Sequence, residues 1–374
     1  MIRQKQYQPL GNRVAVAMII CGGSLLFLYY ARPVLLPLAF AAIAALLLYP
    51  LCRFFENNGF PRVISILLTM FIVLCIATGI ILVFSNQIYR FTKDLPDLRD
   101  KFDNLFNDLE WYLFKNYNIQ ISSISGKMFD GSKTNFLDSG VVLLGGTIST
   151  FVALFNLLGL LPYYVFLMLL YRSSFQEFCL TVTPVHHHRI VLRILYQVQK
   201  LVQNYIIGLL TVMAIVSILT STALLIIGID YPFFFGILAA TLIIIPYLGM
   251  IIGALLPALY ALITKDSGWY AVAVMASFAF IQFIEGNFIT PKITGNRVNI
   301  NPLAAIIALV AGGYLWGMGG LIIALPVVAI IKVVLTNIPS LKHYGILLGT
   351  EIYSNKKARE KRKARQLDRK KERN

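Results

Sequence analysis

Glu285 is the residue from which chemistry can be argued first. It sits in Ile281-Gln282-Phe283-Ile284-Glu285-Gly286-Asn287, the one ionisable residue read here within an apolar context. A carboxylate placed in a membrane segment can carry a proton or hold a monovalent cation. Gln282 lies one helical turn before it and Asn287 two residues after, so either amide could add a polar contact. The plainer reading is a solvated acid at the end of a span. Asp230 and Asp266 also fall at span edges, and no second buried acid pairs with Glu285. That absence weakens any case for stoichiometric sodium/proton exchange.

Other chemistries find little support. His186-His187-His188 is a possible metal tract, but three consecutive residues on a helix point in three directions, so no metal site is assigned. Cys21, Cys52, Cys75 and Cys179 lie in or beside apolar segments with no CxxC pair, as expected of free thiols. There is no Walker loop, dinucleotide fingerprint, HExxH or GxSxG elbow. An enzyme and an ATP-driven pump are therefore not expected, and no cofactor is assigned.

The elements that must position these residues are membrane helices. Of 374 residues, 58% are hydrophobic and 13% charged, against about 25% charged in soluble domains. Val63 to Phe84 runs 22 residues without a charge, and Leu201 to Ile229 runs 29. About 18 to 20 apolar residues cross roughly 30 Å of hydrocarbon. The expected fold class is an all-α integral membrane protein with about eight hydrophobic segments. Val14–Tyr30, Val34–Leu51 and Val63–Phe84 are the first three spans. Turns are expected at Arg32-Pro33 and Asn57-Asn58-Gly59. The first run is read as a retained span, since no small-residue cleavage site follows it.

Charge orients the chain. Residues 85–146 hold seven bases and eight acids, while the flanking loops are basic, so this segment is expected outside. Ile88, Phe91, Leu95, Leu98, Phe102, Leu105, Leu109 and Tyr112 recur at spacings of three and four, an apolar seam on a helix that Pro96 kinks. Such a seam serves packing on its own protein or contact between subunits. A fourth span covers Thr150–Tyr171. Arg172–Lys200 carries four bases and one acid, is placed inside, and is read as an interfacial amphipathic helix starting near Thr183-Pro184. Tyr205–Ile229 is the fifth span, and Trp269–Ile284 is another. The tail from Lys356 to Arg373 has eleven bases against three acids, a net +8. This reads as an inside-facing anchor at anionic lipid rather than a nucleic-acid site. Both termini are thus placed in the cytoplasm.

Two long segments are interrupted. Phe233–Thr264 is broken at Pro246-Tyr247-Leu248-Gly249 and again at Pro257, and Gly249 and Gly253 have close-packing GxxxG spacing. Pro302–Asn337 is broken at Gly312-Gly313 through Gly317 to Gly320, and at Pro326. Free backbone groups in lipid cost several kcal/mol each, so broken helix persists where protein or a wet cavity satisfies it. A corresponding pair of such segments points to a transport site. Close helix packing by small residues is the alternative.

The run Gln282 to Gly295, with Asn287, Pro291 and Gly295 in it, resembles the signature of the autoinducer-2 exporter family of bacterial membrane proteins. The resemblance continues through Asn301-Pro302-Leu303, the block Gly312 to Lys332, Ile245 to Gly249, and Tyr205 with Gly208. Many members carry histidine where Asn301 stands, so no imidazole role carries over. The resemblance implies an oligomeric inner-membrane transporter without ATPase machinery. Members are linked to export of a furanone signal, and some to sodium or lithium/proton antiport.

Five regions are expected: helices 1–3 over 1–84, the outer segment over 85–149, helix 4 and the amphipathic helix over 150–204, a transport core over 205–337, and the basic tail over 338–374. Each long segment either crosses once with a kink or forms a re-entrant hairpin. Length favours the hairpin, as do Lys292 and Arg297 in a loop without acids. The leading reading is a secondary transporter exporting a small polar metabolite, its site between the two breaks with Glu285, Asn287 and Asn301 as polar contributors. A monovalent cation/proton antiporter using Glu285 and a non-transporting scaffold are the alternatives. Expected partners are the bilayer, a small solute or ion, and further copies of the chain.

Overall fold

The computed structural model describes residues 10–79, 160–244, 248–293 and 300–349, with Leu82, Ser85, Gln87, Phe91, Lys101, Trp111, Phe114 and Lys115 besides. The described residues are helical apart from turns and one bridge, Ile300 to Gly349. They form two compact units that interleave along the chain. One takes residues within 1–49, 157–199 and 299–374, the other those within 50–156 and 200–298.

Helix α1 is Leu10–Tyr30 and α2 is Arg32–Asn57, separated by a turn at Ala31. Helix α3 spans 62–79. The turn before it has the expected chemistry. Gly59 adopts φ 91°, a left-handed C-cap open to glycine at no steric cost. Phe60 N–H then donates to Phe55 O at 3.2 Å, and the two rings meet edge to face at 6.2 Å. Helices α4 (Leu161–Leu170) and α5 (Arg172–Thr181) follow.

Helix α6, His188–Ile227, departs from expectation. The amphipathic stretch and the fifth span are one continuous 40-residue helix, about 60 Å long at 1.5 Å per residue. No Gly or Pro breaks it between Arg189 and Tyr205, so nothing in the sequence ends one helix and starts another. The expected start at Thr183-Pro184 is present as a one-turn entry, with Pro184 preceding Val185–His187.

Among the described residues, five helices are long and apolar enough to cross a membrane by length and composition: Arg32–Asn57, Arg62–Gly79, Val185–Ile227, Trp269–Ile293 and Pro302–Asn337. Their outward faces carry exposed Phe54, Phe71, Ile218, Phe280 and Val310, as lipid-facing surfaces do.

The second unit's core forms around Phe233–Thr264. This stretch divides into α7 (Pro232–Leu242) and α8 (Leu248–Thr264), which fold against each other. At about 16 and 25 Å, neither reaches the ~30 Å of hydrocarbon alone. Small residues bring them together: a Cβ on Gly253 would lie 3.0 Å from the Ala239 Cβ. Above this contact Phe234, Phe235, Tyr231 and Tyr260 surround Phe91, which stacks on Phe234 at 5.0 Å. Phe91 therefore packs on its own chain; the remaining seam positions, Ile88 to Tyr112, lie outside the described residues. Asp230 and Lys265 join at 3.3 Å at the exposed rim.

In the first unit, Pro302–Asn337 forms α10, which turns back on itself at Gly317. Gly317 has φ 61° and ψ −141°, a conformation confined to glycine. In a straight helix Gly312 and Gly320 would stand about 12 Å apart. Instead, a Cβ on Gly312 would lie 2.7 Å from the Gly320 carbonyl oxygen and 3.1 Å from the Ala324 Cβ. Trp316, at the tip, donates from Nε1 to Leu28 O at 2.8 Å. Leu28 lies in the last turn of α1, where carbonyls lack intrahelical partners. Trp316→Phe is expected to cost about 1 kcal/mol, seen as a lower thermal midpoint with solute flux retained.

Asn301 closes the other end. Its Oδ1 accepts from Ala304 N at 2.6 Å, capping α10, and its Nδ2 donates to Leu347 O at 2.6 Å. Its backbone N–H donates to Leu348 O at 2.9 Å. Leu347 ends α11 (Lys342–Leu347), so the chain leaving α10 is tied to the chain entering it.

Candidate functional site

Within the second unit, a cavity of about 240 Å³ opens where α6, α7, α8 and α9 (Trp269–Ile284) meet. Its walls are chiefly apolar, with Ala239, Ile243, Met275 and Phe278 among them. Gly249 and Gly253 supply the α8 side, and Thr220 and Gln282 the polar groups. The volume holds several waters or a small metabolite, below the ~300–1,000 Å³ of drug-sized sites.

The local sequence explains why the cavity is there. Helix α7 ends at Leu242, and α8 begins at Leu248 with Gly249 lying directly on the Leu242 carbonyl. The C-terminal end of α7 thus meets the first turn of α8. Their backbone ends, one rich in carbonyls and one in amides, abut the same space. Thr220 comes from α6, its hydroxyl donating to Val216 O at 2.7 Å.

Beyond Gln282 the helix widens. Glu285–Ile289 is a π-turn, after which Thr290–Ile293 resumes α-helical geometry. Such turns occur often at functional sites. Here the wider turn brings Thr290 under Glu285, five residues earlier, and the Thr290 hydroxyl donates to Glu285 Oε1. Gln282 Nε2 donates to Glu285 Oε2 at 2.7 Å. Glu285 is 8% exposed, so both oxygens of a buried carboxylate are met by neutral donors. It is not a solvated terminus.

The sequence-predicted residues fall into three groups. Gly249, Gly253 and Gln282 border the cavity, and Glu285 is joined to it through Gln282. Pro246 and Gly295 lie outside the described residues. Asn287 and Pro291 are exposed, the Asn287 amide donating to Phe283 O at 2.8 Å. The rest belong to the first unit, where Gly312, Gly313 and Gly317 build the α10 turn-back. Asn301 and Pro302 start α10, and Pro326 is buried within it.

Two residues escaped the sequence reading. Thr220 carried no signal beyond being polar in an apolar run. Lys332 did carry one. It stands at Ile331-Lys332-Val333 and is 7% exposed. Glu285 is therefore not the one ionisable side chain in an apolar setting, as the sequence reading had it. A charge six residues past Pro326 was a usable clue. Among the described residues, no group of three His, Cys, Asp or Glu could hold a metal.

Comparison with known proteins adds the family. Residues 16–340 match the AI-2E family transporter profile. The chain is 25% identical to "Putative transport protein YrrI" of Bacillus subtilis, covering 81% of this chain and 86% of that protein. It is 22% identical to "AI-2 transport protein TqsA" of Escherichia coli, covering 89% of this chain and 93% of that protein. The chain belongs to the AI-2E transporter family, a family of membrane transport proteins.

Proposed function

We propose that this protein is a secondary transporter that exports a small polar solute, with the cavity bordered by Gly249, Gly253 and Gln282 as its binding site. The observation that carries this is the meeting of an interrupted helix pair with a buried, hydrogen-bonded carboxylate. Broken helix ends at membrane depth require a polar or wet partner, and a solute cavity supplies one. The name of the TqsA relative makes an autoinducer-2-like signal the first solute to try. Purified protein in liposomes should move solute at a rate above empty liposomes, with or without an ion gradient. Flux equal to empty liposomes for every solute would overturn the proposal.

The α7–α8 pair and the two halves of α10 enter and leave the membrane on one side in this reading, since α7 and α8 are each too short to cross. Residues 287–301 then face the cytoplasm together with both termini, in the inner membrane of a bacterium, and the working form is a homo-oligomer. A cysteine at exposed Lys292, in a chain cleared of its four native cysteines, should resist an impermeant thiol reagent on intact cells. It should react once the membrane is opened. Labelling from outside would instead favour single crossings.

A second reading, cation/proton antiport, is favoured by the burial of Glu285. Glu285→Gln removes the ionisable group and one acceptor oxygen. Exchange of sodium or lithium for protons should fall to background in this variant, measured by a pH dye in proteoliposomes; unchanged exchange would exclude a carboxylate carrier.

A further inference from the structure

Among the described residues, two polar side chains border the second unit's cavity: Thr220 has its one donor hydrogen engaged, and Gln282 has one of its two. Thr220 Oγ1 donates to Val216 O at 2.7 Å and also lies within 3.2 Å of Ser217 O and 3.4 Å of Gly236 O. Its lone pairs are what it has left to offer. Gln282 has one amide hydrogen committed to Glu285, which fixes the orientation of the group. A carboxylate accepts and does not donate, so the amide group facing Glu285 must be the nitrogen, as the 2.7 Å contact has it. Among the described residues, no donor reaches the Gln282 carbonyl oxygen. The remaining wall is apolar, and the opposed helix ends at Ile243 and Gly249 offset one another's partial charges.

We infer that Gln282, held in orientation by Glu285, is the specificity-determining residue of the cavity, presenting its carbonyl oxygen beside the Thr220 hydroxyl oxygen to a solute that bears a hydrogen-bond donor. The class selected is a compact neutral or cationic molecule with a hydroxyl or ammonium group and an apolar body. A carboxylate or phosphate would find at most the second Gln282 amide hydrogen, next to the Glu285 carboxylate, and would leave its charge unpaired in an apolar wall. Glu285 acts through Gln282 as a positioning residue. This rests on the cavity being the solute site of the proposed transporter, and it goes further by naming which side of the hydrogen bond the protein supplies.

Three probes of similar shape test it: tert-butanol, tert-butylammonium and pivalate. Each is titrated by saturation-transfer NMR against the full chain in nanodiscs, with empty nanodiscs subtracted. The alcohol and the ammonium are expected to bind, and pivalate to bind at least about 10-fold more weakly. Gln282→Met keeps the side-chain length and removes the acceptor, and should weaken the alcohol by about 10-fold. Thr220→Val removes the second acceptor with little change of shape, and guards against a folding failure at position 282. Pivalate binding as tightly as the alcohol, no binding by any probe, or alcohol binding unchanged in both variants would overturn the inference. Failure of the transport proposal is distinguishable: donor-bearing probes would then bind selectively to a protein that moves no solute in liposomes.

Discussion

Gly320→Ala is expected to abolish solute flux. The added methyl would fall onto the carbonyl oxygen of Gly312, on the other half of α10, with the Trp316 Cβ at 3.0 Å. A side chain in such a place could rotate away, but a carbonyl in a helix cannot move without its helix. Overpacking a close contact costs typically ~1–3 kcal/mol and more where backbone must shift. The two halves of α10 would have to separate, carrying the Gly317 turn with them. Gly286→Ala is the matched control, because nothing lies within 4 Å of its Cβ position. Flux measured per folded molecule, after size-exclusion chromatography, should drop to background for Gly320→Ala and stay near wild type for Gly286→Ala. Equal flux in both would mean that the closeness of the two halves of α10 is not needed.

Gly249→Ala should be nearly as severe, for a reason local to the cavity. Its Cβ would press on the Leu242 carbonyl and come within 2.7 Å of Ile243 N. These atoms end α7, and Gly249 is in the first turn of α8. The methyl drives apart the two elements whose meeting shapes the space beside Gln282. Flux is expected to fall more than about 10-fold, together with binding of the alcohol probe. Gly268→Ala meets only a Leu262 methyl at 4.0 Å and should behave as wild type. A Gly249 variant that keeps full flux would place the solute path elsewhere.

These positions differ in how visible they were in the sequence. The length excess of Pro302–Asn337 and its glycine run could be read directly, because a single crossing needs about 20 residues. That the chain reverses at Gly317 could not, since the reversal lives in one backbone conformation that is open to any glycine, Gly313 and Gly319 included. Trp269–Ile284 was legible to the residue, as its ends are marked by Gly268 and by Glu285. The length of α6 was not. Its amphipathic beginning and its apolar end differ in composition, and composition changes without breaking a helix. Asn301 drew notice as a substitute for histidine and was read as a polar contributor to a site. In the structure both ends of its amide serve the fold, one capping α10 and one holding Leu347. Glu285 was recognised from its apolar neighbours, yet its partner Thr290 was hidden. At α-helical spacing the two would not face each other; the π-turn aligns them.

The bond from Trp316 to Leu28 has a consequence for how the protein is made. The two residues are 288 apart in sequence. At ~5–20 residues per second, the indole leaves the ribosome roughly 15–60 s after the carbonyl that it meets. The same delay applies to Leu36, against which Gly319 packs at 2.7 Å from the position of its absent Cβ. Throughout that interval α1 and α2 sit in the membrane with this docking face uncovered. A chain that stops early, before the α10 tip is synthesised, leaves the face open for good, so completion of synthesis and completion of this unit are reported by the same contact.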